Sequence, residues 1–305
     1  MKIIGAGLAG LLCGALNPGS TIYERQSKLP NNHGAILRFR SDKISKALGI
    51  PFKKVLVTKD IYYTCGNSYW GNIGATPQIQ NMYSYKVTGK YMSRSISDIK
   101  PVTRYIAPDN FIEQLAERCT IEYDFLWGKE WHADESTVST IPMPVMMGLL
   151  NIETKLRFKR QKIWTRIHQI HGCDLYQTIY FPEANTPLYR ASFTGNKLIC
   201  EFIANPGISD WQVENIFHAF GLHHNPGYTE WGTDEQKYGK IIDIDHTVRR
   251  SIMYQLTQNH NIYSLGRFAT WRNILLDDVY EDIFKIRDLM SRDNYSRKLK
   301  LSEEK

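Results

Sequence analysis

The chain of 305 residues has no apolar run near the roughly 20 residues that a membrane-spanning helix needs. Its five cysteines, Cys13, Cys65, Cys119, Cys173 and Cys200, are dispersed, and no two form a C-x-x-C pair. Such an odd, scattered set reads as reduced thiols of a cytoplasmic protein rather than a disulfide framework. No internal repeat, low-complexity tract or G-x-S-x-G nucleophile elbow is present. Histidines gather at "IHQIHG" and "HAFGLHH" (His168, His171, His218, His223 and His224), but at no metal-ligand spacing, so no metal is expected. A first strand starting at Lys2 leaves no room for a leader peptide.

What is present is an ordinary globular composition, 42% hydrophobic and 23% charged, with enough apolar mass for a real core. The length suits one large domain or two intertwined ones. A net charge of +7 and a pI of about 9.0 favour polyanionic partners. That charge is concentrated in "KLRFKRQKIWTR", where Lys155, Arg157, Lys159, Arg160, Lys162 and Arg166 interleave with Phe158 and Trp164. One reading is a track for nucleic-acid phosphates through Arg157, Lys159, Arg160 and Lys162, with aromatic stacking positions between them. The other is a strand whose solvated face is basic.

The opening, "MKIIGAGLAGLLCGALNPGSTIYER", carries the strongest motif. A strand over Lys2–Ile4 runs into Gly5, Gly7 and Gly10 in the spacing G-x-G-x-x-G, and a helix over Leu8–Leu16 follows. The first glycine permits the tight turn, the second admits a pyrophosphate to the backbone, and the third lets helix and strand pack closely. The helix N-terminus directs N–H groups and its dipole at the phosphates. A second strand, Thr21–Tyr23, delivers Glu24 nineteen residues after Gly5, where an acid binds ribose hydroxyls. An acid there disfavours a 2′-phosphate and hence NADP. This stretch leaves FAD and NAD both open.

Beyond it, a helix is expected to start near Ser41, and residues 51–101, with "YYTCGNSYWGNIG", read as strand and turn. "APDNFIEQLAERC" reads as a helix capped by Asp109 or Asn110, with Phe111, Ile112, Leu115 and Cys119 on one face. "STVSTIPMP" is a buried strand closed by prolines. Two-fold alternation from Lys155 to about Ile203 predicts strands, with a hairpin turn at Gly195–Asn196. "DWQVENIFHAFGL" reads as an amphipathic helix ending at Gly221. "DIDH" (Asp243, Asp245, His246) reads as acid–base machinery or, more simply, as a strand end or turn. The tail, "NIYSLGRFATWRNILLDDVYEDIFKIRDLM", predicts a strand, a Gly–Arg turn and a long helix from about Leu276.

That tail, a strand ending in "SLGR" followed by an aromatic–Arg pair and acids opening a helix, resembles the C-terminal flavin-contacting segment of FAD-dependent amine oxidases and UDP-galactopyranose mutases. "VSTIPMP" is similar to the segment beside FAD in that superfamily. "HGAILRFRSD" falls where the mutases carry a glycine-led, histidine-containing loop, although the aligned position here is Leu37. The resemblance implies an α/β fold: a doubly wound, Rossmann-like FAD-binding domain over residues 1–50, 102–150 and 240–305. An inserted, largely antiparallel β substrate domain would occupy 51–101 and 151–239.

By the same resemblance the cofactor is FAD, held by Gly5, Ala6, Gly7, Leu8, Ala9 and Gly10 at its pyrophosphate and by Glu24 at its ribose. Arg25 and Arg38 would meet phosphate or adenine, Gly266 and Arg267 the pyrophosphate or ribityl chain. The helix opening at Leu276, Asp277 and Asp278 would aim at the flavin. Trp271, Tyr69 and Trp70, with Tyr62, would line an aromatic pocket for an amine substrate. The implied activity is that of an oxidoreductase or lyase at a carbon next to an amine. The chain also resembles bacteriophage flavoproteins, some of which are lyases acting on amino-acid-modified thymidine in phage DNA. That would place it in the host cytoplasm and make DNA a partner. The alternatives are a UDP-sugar mutase and a flavin-bearing nucleic-acid-binding protein without turnover.

Overall fold

The computed structural model describes residues 1–29, 37–65, 68–71, 75–91, 96, 99–127, 136–205, 210–222 and 227–292. In chain order the elements begin β1 (Lys2–Ile4), α1 (Leu8–Leu16), β2 (Thr21–Tyr23), β3 (Arg38–Phe39) and α2 (Lys43–Leu48). Next come β4 (Lys53–Cys65), β5 (Ser68–Gly71), α3 (Pro77–Thr88), β6 (Val102–Ile106), α4 (Phe111–Ala116) and β7 (Thr120–Glu122). Then follow β8 (Thr137–Ser139), α5 (Met143–Leu149), β9 (Arg160–Ile170), β10 (Leu175–Tyr180), β11 (Leu188–Gly195) and β12 (Lys197–Phe202). The chain closes with α6 (Asp210–Ala219), β13 (Tyr228–Ile241), α7 (His246–His260), β14 (Ile262–Ser264) and α8 (Leu276–Ser291). It divides into two units: Met1–Lys53 with Tyr105–Lys159 and Asp243–Lys305, and Lys54–Arg104 with Arg160–Ile242.

The first unit is a doubly wound α/β domain on a five-stranded parallel sheet, ordered β14-β8-β1-β2-β7. Its strands are three residues long; β8 and β14 are buried throughout, β1 and β2 at Ile3, Ile4 and Ile22, while the edge strand β7 is exposed at Thr120 and Glu122. Ile3, Ile22 and Val138 are fully buried at its centre, with Leu11 of α1, Phe111 and Leu115 of α4, and Ile283 of α8 packed into the same core. Close approach is built into α1. A Cβ added at Gly14 would lie 2.8 Å from both Cys119 Sγ and Ile22 Cδ1. Burial pushes the Cys13 thiol up to about 12 and the Cys119 thiol to about 11, so both stay protonated and unreactive.

The second unit is a mainly antiparallel sheet in the order β13-β9-β12-β11-β10-β4, with β5 paired to β4; only β10 and β4 run parallel. The β11–β12 hairpin turns at Gly195, whose φ of +63° suits glycine, and Asn196. Within that hairpin the Glu201 carboxylate accepts from Tyr189 Oη (2.8 Å) and from Arg190 Nη2 (2.7 Å) and Nε. Burial alone would raise this carboxyl; the Arg190 guanidinium beside it, then Lys240 and the Tyr189 hydroxyl, bring it down to about 2. Lys86, at the end of α3, is buried and donates to the Phe181 and Leu188 carbonyls (2.8 and 2.5 Å); burial lowers it to about 7, against the pull of Glu183.

Three helices stand where the sequence suggests strand, turn or no element. Within 51–101, α3 is opened by Thr76, whose hydroxyl accepts from Ile79 N–H, with proline at the first helical position and Gly89 in the left-handed conformation at its end. "PMP" starts α5 rather than only closing β8. The "DIDH" group lies at a helix start: Asp245 caps α7 by accepting from Val248 N–H (3.0 Å). Residues 155–159 carry no strand pairing, and β9 begins at Arg160.

Candidate functional site

The glycine turn between β1 and α1 is held from several directions. Gly5 adopts φ +95°, donates its N–H to the Tyr23 carbonyl (2.9 Å), and leaves no room for a side chain, since a Cβ would meet Thr140 Oγ1 at 2.6 Å. The Thr140 hydroxyl, just beyond β8, lies 2.8 Å from the Ile4 carbonyl and 3.2 Å from that of Gly5, pinning the turn from below. Gly10 is closer still: its Cβ would sit 2.0 Å from the Gly5 carbonyl oxygen. Gly7 differs in kind. It caps α1, has no side-chain cap bond and no acid in the first turn, and a Cβ there would meet nothing within 4 Å. The turn therefore presents a bare helix N-terminus with uncovered backbone in front of it, the arrangement that receives a phosphate.

Glu24 is buried at the end of β2, and its carboxylate is already oriented. Oε2 accepts from Ala6 N–H (2.7 Å) and Oε1 from Gln26 N–H (2.9 Å). A carboxylate has about four acceptor sites, so two remain for a pair of ribose hydroxyls. Arg25, next in sequence, is exposed. Arg38 lies on β3, paired in register with Ile106 of β6.

The C-terminal return meets the same turn. Gly266, directly after β14, has φ +88°, and a Cβ there would lie 2.7 Å from Ala9 Cβ in the first turn of α1. The two glycine motifs, far apart in sequence, thus touch through Ala9. Arg267 is half-buried with its guanidinium 5.5 Å from the Phe268 ring, and the Phe268 carbonyl accepts from Met143 N–H (3.0 Å) at the start of α5. Trp271 is 1% exposed, with φ +47° and its ring edge-on to Phe158 at 5.0 Å. A bulky residue in the left-handed region is strained, and such strain persists only where the surroundings over-determine it.

The fold carrying this turn is shared with flavoproteins. No family model matches the chain, and no curated protein sequence does either. Among solved structures, a reduced UDP-galactopyranose mutase aligns at 12% identity over 89% of each chain, with a TM-score of 0.56. The flavin-dependent brominase Bmp2 aligns at 10% identity over 99% of this chain and 83% of its own, also at 0.56. The PF1083 protein of Pyrococcus furiosus aligns at 10% identity over 94% and 96%, at 0.55. This is the fold of a broad set of FAD-dependent enzymes. The likeness spans a mutase and a brominase, so it does not single out amine chemistry.

The residues of the turn fit FAD: a cradle at Gly7 that a side chain would fill, an oriented carboxylate at Glu24, and Gly266 brought against α1. The start of α8 is engaged within the protein. Asp277 accepts from the N–H groups of Arg40 (3.0 Å) and Ser41 (3.2 Å), while Asp278 accepts from Leu275 N–H (2.8 Å) and pairs with Arg40. Leu276 opens the helix between these contacts. Tyr69 and Trp70 lie on β5, opposite Thr64 and Tyr63 of β4; their side chains lie outside the described residues, as do His33, Gly34, His223 and His224. His168 is a core histidine, 1% exposed and edge-on to Tyr228. Of the basic run, Lys155, Arg157, Lys159, Arg160 and Lys162 are exposed, and Lys162 pairs with Glu235 at 2.8 Å. Phe158 turns onto Trp271 and Trp164 packs against the β-sheet core, so both aromatics serve packing. Thr140 lies within the "VSTIPMP" segment, but its bonds to the Ile4 and Gly5 carbonyls are not announced by that stretch.

Proposed function

We propose that this chain is an FAD-dependent oxidoreductase or lyase acting at a carbon next to an amine, with amino-acid-modified thymidine in DNA as the substrate class. The observation that carries the cofactor assignment is the open backbone at Gly7 set between two glycines, Gly5 and Gly10, that admit no side chain. FAD, once bound, supplies the two-electron acceptor that no side chain provides. The chain supplies the rest. N–H groups at the start of α1 hold the pyrophosphate, Glu24 takes the ribose diol, and Arg267 offers a half-buried positive charge. Trp271, buried against Phe158, would serve as an aromatic wall of the site. The resemblance of the tail supports the amine chemistry. The exposed Lys155, Arg157, Lys159 and Arg160 support contact with DNA.

The test begins with purified protein, which is expected to be yellow and to release free FAD into the supernatant on acid precipitation. Anaerobic mixing with aminomethyl-bearing thymidine nucleotides then bleaches the flavin or yields product. Colourless protein that binds NAD tightly and cannot be reconstituted with FAD refutes the cofactor. Flavin that no amine reduces or turns over leaves the protein a flavin-bearing binder or a mutase, and refutes the amine reading alone.

A further inference from the structure

The face of α7 that carries His246, Arg249, Arg250, Met253, Tyr254 and Thr257 repeats at helical spacing and lines a cavity of about 470 Å³. The remaining walls come from Tyr263 and Ser264 of β14, Arg272, and Asp282, Lys285, Ile286 and Leu289 of α8. All lie within the first unit, and none belongs to the glycine turn. The volume falls within the range of small-molecule sites, about 300–1,000 Å³.

The charge on these walls is lopsided. Four permanent cations, Arg249, Arg250, Arg272 and Lys285, share one carboxylate, Asp282, and that carboxylate is taken: Arg272 pairs with it directly and Lys285 lies 3.6 Å away. Arg249 is the sharpest case. It is 8% exposed, and among the described residues no carboxylate pairs with it. Its Nη1 reaches only the Thr270 carbonyl at 3.4 Å and the Met253 sulfur at 3.6 Å, both neutral and both long. Burial, then the like charges of Arg272 and Arg250, lower its pKa against the weaker pull of Asp243 and Asp282. With five N–H donors and only two long, neutral acceptors, this guanidinium keeps donors free on the cleft wall to meet an anion. Arginine forks match phosphate oxygens bidentately, whereas a lone lysine offers a point charge.

We propose that the cleft between α7, β14 and α8 binds a phosphorylated small molecule, with Arg249 and Arg250 gripping the phosphate and Lys285 adding charge at the mouth. Tyr254, 39% exposed at the rim, and Met253 flank the organic part. A cleft of this size, with Arg249 set in its wall rather than on an exposed face, favours a small phosphate ester over a duplex, whose phosphates meet exposed cations.

The experiment is a set of calorimetric titrations of the purified protein, with its flavin, against inorganic pyrophosphate and ribose 5-phosphate at constant ionic strength, with chloride as control. Neither probe carries an adenine or flavin ring. Saturable binding is expected, weakened about tenfold or more in Arg250→Gln and in Arg249→Met, with flavin content and absorbance unchanged. Lys285→Gln, on an exposed position, gives a smaller loss and guards against a misfolded Arg249 variant. No saturable binding by the wild type, or binding that all three variants retain, overturns the proposal. So does displacement of the probes by a short DNA duplex that itself depends on Arg249. Gly7→Val protein, expected to lack flavin, should bind the probes unchanged, so failure of the flavin reading and failure of this one are told apart.

Discussion

Gly10→Ala and Gly7→Val separate the structural glycine from the cofactor glycine. In isolation, alanine in α1 would gain about 1 kcal/mol of helix propensity over glycine. At position 10 that gain is overwhelmed, because the new Cβ would lie 2.0 Å from the Gly5 carbonyl oxygen. The obstacle is backbone, and that backbone is fixed by the Gly5 N–H bond to Tyr23 and by the Thr140 hydroxyl. Overpacking against a neighbour that can move costs about 1–3 kcal/mol; here helix and strand must part, so a net loss of about 2 kcal/mol or more is expected. For a domain of this size that lowers Tm by about 4–8 °C. At position 7 a Cβ meets nothing within 4 Å, and the residue caps the helix in an extended conformation open to any residue. Valine there should cost under about 1 kcal/mol, yet it fills the space assigned to pyrophosphate. Thermal melts by circular dichroism, paired with flavin content, give the two readouts. Gly10→Ala melting with the wild type would refute the packing argument. Gly7→Val carrying a full complement of flavin would refute the phosphate assignment.

Three further outcomes are expected. The Glu201 carboxyl, depressed from 4.5 to about 2, contributes about 3 kcal/mol of stability that is complete above pH 4.5 and lost as pH falls from 4.5 to 2; urea unfolding should show the wild-type advantage over Glu201→Gln shrinking across that window, and a constant difference would contradict it. Lys86, lowered from 10.5 to about 7, holds its proton longer in the unfolded chain, so wild-type stability should rise between pH 7 and 10.5 relative to Lys86→Met; parallel pH profiles of the two proteins would count against the burial assignment. If Lys159 and Arg160 contact DNA phosphates, replacing both with alanine should flatten the log–log salt dependence of DNA binding by about one to two units at an unchanged flavin spectrum; an unaltered slope leaves the run a solvated face.

Legibility in the sequence followed the range of the interactions. The β1–α1–β2 unit lies at the residues its glycine spacing and apolar runs predict, because strand, turn and helix there are local decisions. The Gly195–Asn196 turn and the start of α8 were equally readable. Helix α3 was not. Its buried stripe is Ile79, Tyr83 and Val87, one apolar residue per turn in a polar segment, so only the Thr–Pro start and Gly89 stop announced it. Helix α7 was masked in the same way, since Arg249 occupies part of its buried face alongside Ile252 and Leu256.

Within the site, the division is chemical as well as local. A glycine that must be glycine can state its requirement locally: Gly5 and Gly10 admit no Cβ and their spacing said so, while Gly266, equally crowded, was pointed to only by the resemblance of the tail. A hydroxyl or a carboxylate carries no such signature, because many partners could satisfy it. Thr140 reaches a carbonyl 135 residues away, and Asp277 reaches a backbone N–H 237 residues away. Their roles exist only once the parallel sheet has brought β8 beside β1 and α8 has been laid near β3. Arg249 is the extreme of that class. Its sequence context is an amphipathic helix with a basic face, and only its place in the cleft wall, bonded among the described residues to no more than a carbonyl and a thioether, distinguishes it from a surface charge.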